Sequence, residues 1–263
     1  MGGGTTPVPL EVERLTVDYG ARRAVTDLSL QVRPSEIYGL LGSNGAGKSS
    51  TIKVVVGLVR PTSGAARVFG DDAVRDGTRA KERLGYVPET ALLYEALTPR
   101  EFLEFVAGVR RLDRATASER LRTYATAFRL DAELEEPIAT LSNGTRQKVL
   151  VIAALLHAPR LLVLDEPLNS LDPRSVRIVK ELLLRFAHGA GRGVLLSTHT
   201  MEVAEELCDR VGILDRGCLL AEGTLAELRG RAARGDASLE EVFLRLTRQD
   251  EGLAETVASL DGS

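Results

Sequence analysis

Cysteine is scarce in this 263-residue chain, which has two, Cys208 and Cys218. Neither has a second cysteine or a histidine at the spacing of a metal site. A disulfide framework and a cysteine-based zinc site are therefore excluded as organising features, and both residues read as reduced, partly buried thiols. Long hydrophobic runs are missing as well. The longest apolar stretch, residues 149–156, falls well short of the roughly 18 residues a membrane-crossing helix requires. Residues 1–7 offer neither a basic region nor an apolar core, so they read as a frayed tail rather than a secretory signal. Nor is there an excess of one charge: the net charge is −3, with acids and bases interspersed. That argues against a nucleic-acid-binding surface and against a charged interaction tail.

What is present is an ordinary globular composition, 44% hydrophobic, at a length suited to one large α/β domain with or without an inserted subdomain. Strand-like runs lie at 10–17 and 28–32, the second alternating through Leu28, Leu30 and Val32. Glu36-Ile37-Tyr38-Gly39-Leu40-Leu41 is an apolar strand followed by a glycine-rich loop and a helical stretch with Ile52, Val55 and Val56. A further strand pair is expected near 66–69 and 84–87. Residues 98–158 have few β-branched runs and open on Thr98-Pro99-Arg100-Glu101, a capping-box start with proline at the first helical position. They read as a helical insertion. Beyond them, Leu161-Leu162-Val163-Leu164 and Val194-Leu195-Leu196 are continuous apolar runs, as expected of strands buried on both faces of a parallel sheet. The expected divisions are a single domain over 8–240, with a core of 8–97 and 159–223 and an insert of 98–158, and a helical tail over 224–263. In that tail Ser238 and Glu241 can form a capping box, and Leu239, Val242, Phe243 and Leu246 share one face. Core packing is the simpler reading of that stripe; a dimer contact is the alternative.

Three segments carry chemistry. Gly42-Ser43-Asn44-Gly45-Ala46-Gly47-Lys48-Ser49, followed by Ser50, has the pattern of a phosphate-binding loop. Its glycines let backbone N–H groups turn toward an anion, and the helix it opens adds a positive end. Lys48 supplies a mobile charge for the β- and γ-phosphates, and the Ser49 hydroxyl can ligate Mg²⁺. The second segment is the strand end Leu164-Asp165-Glu166-Pro167. Asp165 can hold Mg²⁺, and Glu166 can polarise an attacking water as general base. Alone, the segment could equally be an exposed acidic turn. The third, Leu141-Ser142-Asn143-Gly144-Thr145, reads as a capped helix start, which is either structural only or a second anion site. If the latter, one ATP would need two subunits to reach both helix starts. His157 and His188 have no acids at useful spacing and read as structural or surface residues.

The order of these segments, with Ser197-Thr198-His199 after them, resembles the ATP-binding subunit of ABC transporters over about residues 8–247. The resemblance implies a P-loop NTPase core with a mostly parallel sheet, an antiparallel β subdomain at the amino terminus and an inserted helical subdomain. It implies ATP and Mg²⁺ as cofactors, with Tyr19 stacking on adenine and Glu166, His199 and Lys48 as the catalytic set. Ser142 and Gly144 would contact the γ-phosphate held by the opposite subunit, and Asn169-Ser170-Leu171-Asp172 would cross the dimer interface. Two departures stand out: Glu89 replaces the usual glutamine, where it can still bind nucleotide or Mg²⁺, and Asn143 and Thr145 alter the signature. Both, with Ser238-Leu239-Glu240-Glu241-Val242-Phe243-Leu244, resemble the bacterial ABC-2-type exporter branch. The implied partners are a second copy of the chain and a membrane-spanning permease, with no nucleic acid, at the cytoplasmic face of the cell membrane. An ABC ATPase acting on nucleic acid or ribosomes is the competing reading. Such proteins usually carry paired cassettes or long coiled coils, and this chain has one cassette and no sustained heptads. A catalytically silent regulatory module is disfavoured by the intact Lys48, Asp165, Glu166 and His199.

Overall fold

The first two strands form a hairpin whose inner face is apolar. β1 (Leu10–Tyr19) pairs antiparallel with β2 (Arg22–Val32). Alternation along β1 changes phase between Val12 and Leu15, where the register slips. That irregularity keeps Leu10, Val12, Leu15 and Val17 all buried, as a bulge does when it re-aims a strand. The computed structural model describes residues 7–189, 191–231 and 238–247.

The chain then runs through β3 (Glu36–Leu41), α1 (Lys48–Val55), β4 (Ser63–Val68), β5 (Asp71–Asp72), α2 (Gly77–Glu82) and β6 (Leu84–Val87). The helices α3 (Pro99–Val109), α4 (Arg114–Phe128) and α5 (Asn143–Leu155) follow as the insertion. Alternation resumes with β7 (Leu161–Asp165), α6 (Pro173–Ala187), β8 (Gly193–Thr198), α7 (Met201–Leu207) and the β9 (Arg210–Asp215)–β10 (Cys218–Gly223) hairpin. The described residues end with α8 (Leu225–Arg231) and α9 (Leu239–Thr247).

Two sheets result. One is antiparallel, in the order β2-β1-β4-β5; the other runs β10-β9-β3-β8-β7-β6, parallel except for β10. The strands expected near 66–69 and 84–87 both exist, but they fall in different sheets and do not pair with each other. Their sequences are too short to specify a partner; packing decides it.

Successive residues of the parallel strands feed opposite cores. Ile37 and Leu41 of β3, Leu162 and Leu164 of β7, and Val194 and Leu196 of β8 join the helical insert, α6 and α7. Tyr38, Leu40, Leu161, Val163 and Leu195 instead join α1 and the antiparallel sheet. This is why those runs are apolar without alternation. The capping box at Thr98 forms: Glu101 N–H donates to Thr98 Oγ1, and Thr98 N–H to Glu101 Oε2. Ser238 and Glu241 do the same for α9. The α9 stripe is core, with Leu239, Val242 and Phe243 buried and Leu246 packed beside them. The rest of the tail, 232–237 and 248–263, lies outside the described residues.

Cys208 is buried, and burial pushes its thiol up to about 12; Cys218 is exposed rather than partly buried. Among the described residues no helix is long and apolar enough to cross a membrane.

Candidate nucleotide site

Parallel register fixes where the chemistry sits. Leu41 pairs with Thr198, Asp165 with Ser197, and Val87 with Leu164. The loops leaving β3, β6, β7 and β8 therefore emerge at one edge of the sheet, the carboxyl edge where open α/β sheets place ligands. Residues 42–47 leave β3, Glu89 follows β6, Glu166 follows β7 and His199 follows β8.

At that edge a cavity of about 410 Å³ is lined by Tyr19, residues 43–50, Glu89 and Glu166, together with Arg22 and Ala24. Gly47 caps α1 at φ 111°, and a Cβ there would stand 2.7 Å from the Ala24 carbonyl oxygen. Only glycine meets both demands, which holds the loop close under the hairpin. Lys48 is buried and donates to the Gly42 carbonyl at 2.6 Å and the Ser43 carbonyl at 3.3 Å. Its Nζ also lies 3.6 Å from Glu166 Oε1, and both side chains are 6% exposed.

Glu166 sits in the left-handed region at φ 48°. Such a backbone costs a side-chain-bearing residue on the order of 1–3 kcal/mol and persists only where neighbours enforce it. Ser197 is that neighbour: Glu166 N–H lies 3.2 Å from both the Ser197 carbonyl and its hydroxyl oxygen. The same hydroxyl donates to Asp165 Oδ1 at 2.5 Å. One serine thus aims both acids, and sequence reasoning assigned it no such role. Its position beside Thr198 and His199 at a strand end was the available signal. His199 Nδ1 reaches Glu166 Oε1 at 2.9 Å from a half-exposed ring.

Asp165 and His199 do not line the cavity; Asp165 is bonded to Ser197, and His199 to the cavity-lining Glu166. Ser142 and Gly144 do not line the cavity. They begin α5, where Ser142 accepts the Thr145 N–H at 3.1 Å and its hydroxyl pairs with the Thr145 hydroxyl at 2.9 Å. A Cβ on Gly144 would meet the Ser170 carbonyl oxygen at 2.5 Å, so this helix start rests on the 169–172 loop. Asp172 caps α6 through Ser175 N–H and pairs with Lys148 at 2.8 Å. Those contacts hold its carboxyl well below the usual range. Gln147, buried, donates to the Pro167 carbonyl at 3.3 Å and ties α5 to the β7 end.

The donor set suits Mg²⁺. No cluster of three metal-ligating side chains exists among the described residues. The buried Asp165 carboxylate and the Ser49 hydroxyl are hard oxygens, few in number. That is how Mg²⁺ is held when substrate phosphates complete its shell.

A phosphate loop at a strand-to-helix turn, facing a strand-end acid pair across one sheet edge, defines the class: a P-loop nucleoside-triphosphate hydrolase. Residues 25–169 match the ABC transporter family. The ABC-type transporter ATP-binding protein EcsA of Bacillus subtilis is 37% identical over 92% of this chain and 98% of its own length. The Nod factor export ATP-binding protein I of Ralstonia nicotianae is 36% identical over 86% of this chain and 70% of its own. A solved ATP-binding subunit of an ABC transporter superposes with a TM-score of 0.86 at 36% identity, covering 90% of this chain and 99% of that one. The chain belongs to the ABC transporter family, as an ATP-binding, ATP-hydrolysing subunit.

Proposed function

We propose that this subunit hydrolyses Mg²⁺–ATP between two head-to-tail copies of itself and so powers export through a separate membrane permease, from the cytoplasmic face of the cell membrane. The observation that carries the catalytic part is the contact chain Lys48–Glu166–His199 at the cavity wall.

Adenine stacks on Tyr19, and the 42–50 loop takes the phosphates. Lys48 exchanges its loop carbonyls for phosphate oxygens, which frees Glu166 from its ion pair. Glu166 then accepts a proton from water, and His199 keeps that carboxylate oriented. Ser49 and Asp165 would hold Mg²⁺, with Glu89 beside them; when bound, the ion offsets phosphate charge. Because Ser142 and Gly144 lie off the cavity, their helix start is free to cap the γ-phosphate of a second copy. ATP then favours the closed pair, since only closure completes both sets of contacts. Loss of the γ-phosphate removes the bridge, and opening is passed to the permease. The divisions 8–97 with 159–223 as core, 98–158 as insert and 224–263 as tail suit this cycle.

The permease has a candidate seat. Leu92 is 83% exposed and Tyr94 62%, and Tyr94 packs edge-on against Phe105, itself exposed, near Glu89. Exposed apolar groups clustered between insert and core are what a short amphipathic helix covers. Export is supported by the kinship with the Nod factor export protein and by the departures at Glu89, Asn143 and Thr145.

The test is to recover tagged Glu166→Gln from native membranes with ATP in mild detergent and identify what accompanies it. A co-purifying multispan membrane protein supports the reading. Recovery of soluble partners, ribosomes or nucleic acid alone would leave the ATPase standing and remove the transport role.

A further inference from the structure

The β1–β2 hairpin delivers two polar side chains, Tyr19 and Arg22, to the nucleotide cavity beside Ala24, and only Tyr19 has a role so far. Tyr19 and Arg22 are direct cross-strand partners, so their side chains leave the same face of the hairpin. Asp18 and Arg23 are the next pair. They point to the opposite face, where Arg23 is held by Asp18 at 2.9 Å. The alternation divides two adjacent arginines into one that is paired and one that is not.

Arg22 lines the cavity together with Tyr19 and the phosphate loop. Its Nη2 is the one heavy atom within 4 Å of where a Cβ on Gly45 would lie, at 3.8 Å. The guanidinium therefore reaches from the hairpin to Gly45 of the loop. Two cations line this cavity, Arg22 and Lys48, facing two acids, Glu89 and Glu166. Lys48 is committed to Glu166 and to the Gly42 and Ser43 carbonyls. Among the described residues Arg22 has no acid partner. It meets the loop at Gly45, whereas Lys48, which faces Glu166 on the proposed hydrolytic side, is held at Gly42 and Ser43.

We infer that Arg22 is a nucleotide-binding residue that grips the α–β segment of the phosphate chain, selecting nucleoside di- and triphosphates without taking part in hydrolysis. The inference rests on the nucleotide-site reading above. An arginine fork matches phosphate geometry and carries a charge that does not titrate. A contact present equally before and after γ-phosphate cleavage is uniform binding, which sets KM and leaves kcat alone.

The experiment compares wild type, Arg22→Ala, Arg22→Lys and Lys48→Ala for ADP affinity by titration calorimetry and for steady-state ATPase activity. Losing a charge-assisted hydrogen bond of this kind corresponds to about tenfold in affinity. Arg22→Ala is expected to weaken ADP and to raise KM for ATP by that factor, with kcat moving less than twofold. Arg22→Lys should recover part of the loss, because the charge remains while the fork is gone. If Arg22→Ala binds ADP like wild type while Lys48→Ala does not, the inference is overturned. A fall in kcat with KM unchanged overturns it too. If wild type itself binds no ADP, the nucleotide-site reading fails first, a result distinct from either.

Discussion

His199 Nδ1 stands 2.9 Å from Glu166 Oε1. Lys48 approaches the same oxygen at 3.6 Å, so in this state the proposed base is held by two cation-capable groups. Lys48 is the one that phosphate can draw away, which makes nucleotide binding itself the step that frees the carboxylate.

Glu166→Gln keeps the shape and removes the proton acceptor. Phosphate-release assays should show kcat lower by on the order of 10²–10⁴, the usual worth of a positioned general base. ATP affinity should hold or improve, because Lys48 loses its competing ion pair. A variant within threefold of wild type would remove Glu166 from the reaction.

His199→Ala deletes the group bonded to Glu166, which on the proposed reading orients that carboxylate. The expected loss is on the order of 10² in kcat, as for other single donors to transition-state charge. ADP affinity should be unchanged, since the residue does not line the cavity. A variant that loses ADP binding would instead place His199 in the resting architecture.

Gly144→Ala tests the seat of α5. The added methyl would stand 2.5 Å from the Ser170 carbonyl oxygen, and that neighbour is backbone. Overpacking of this kind costs about 1–3 kcal/mol. Thermal unfolding should show a lowered midpoint, and ATPase activity should fall further than stability accounts for, with ADP binding intact.

His157 gives a pH signature. It follows α5, with Nε2 3.0 Å from the Leu84 carbonyl. Burial, reinforced by the Arg110 charge, lowers its pKa from 6.5 to about 4. Between those values the unfolded chain takes up a proton that the folded chain refuses, so stability falls as pH drops through that window. His157→Gln keeps a donor for Leu84 and removes the titration. Its urea midpoint should change less between pH 7 and pH 5 than that of wild type. Asp172 does not confuse the comparison: its lowered pKa matters only further down, in the carboxylate range.

The sequence made the chemistry legible where it is local. Residues 42–49 are contiguous, so loop, cap and helix start could be read directly, as could the capping boxes at Thr98 and Ser238. The parallel strands were legible because residues 161–164 and 194–196 are apolar without alternation. Arg22 and Ser197 were not legible as site residues. Each acts through tertiary proximity: Arg22 by reaching from a hairpin to Gly45, Ser197 by cross-strand register with Asp165. The partner of the 66–69 strand was hidden for the same reason, since a short strand is assigned to a sheet by packing.

The most direct test of the two-subunit account is sedimentation velocity on Glu166→Gln with saturating Mg²⁺–ATP, beside the same protein with ADP. The account predicts a dimer with ATP and a monomer with ADP, and no ATP-driven dimer when Ser142 is also replaced by a bulky residue. A protein that binds ATP yet sediments as a monomer in both conditions would contradict it.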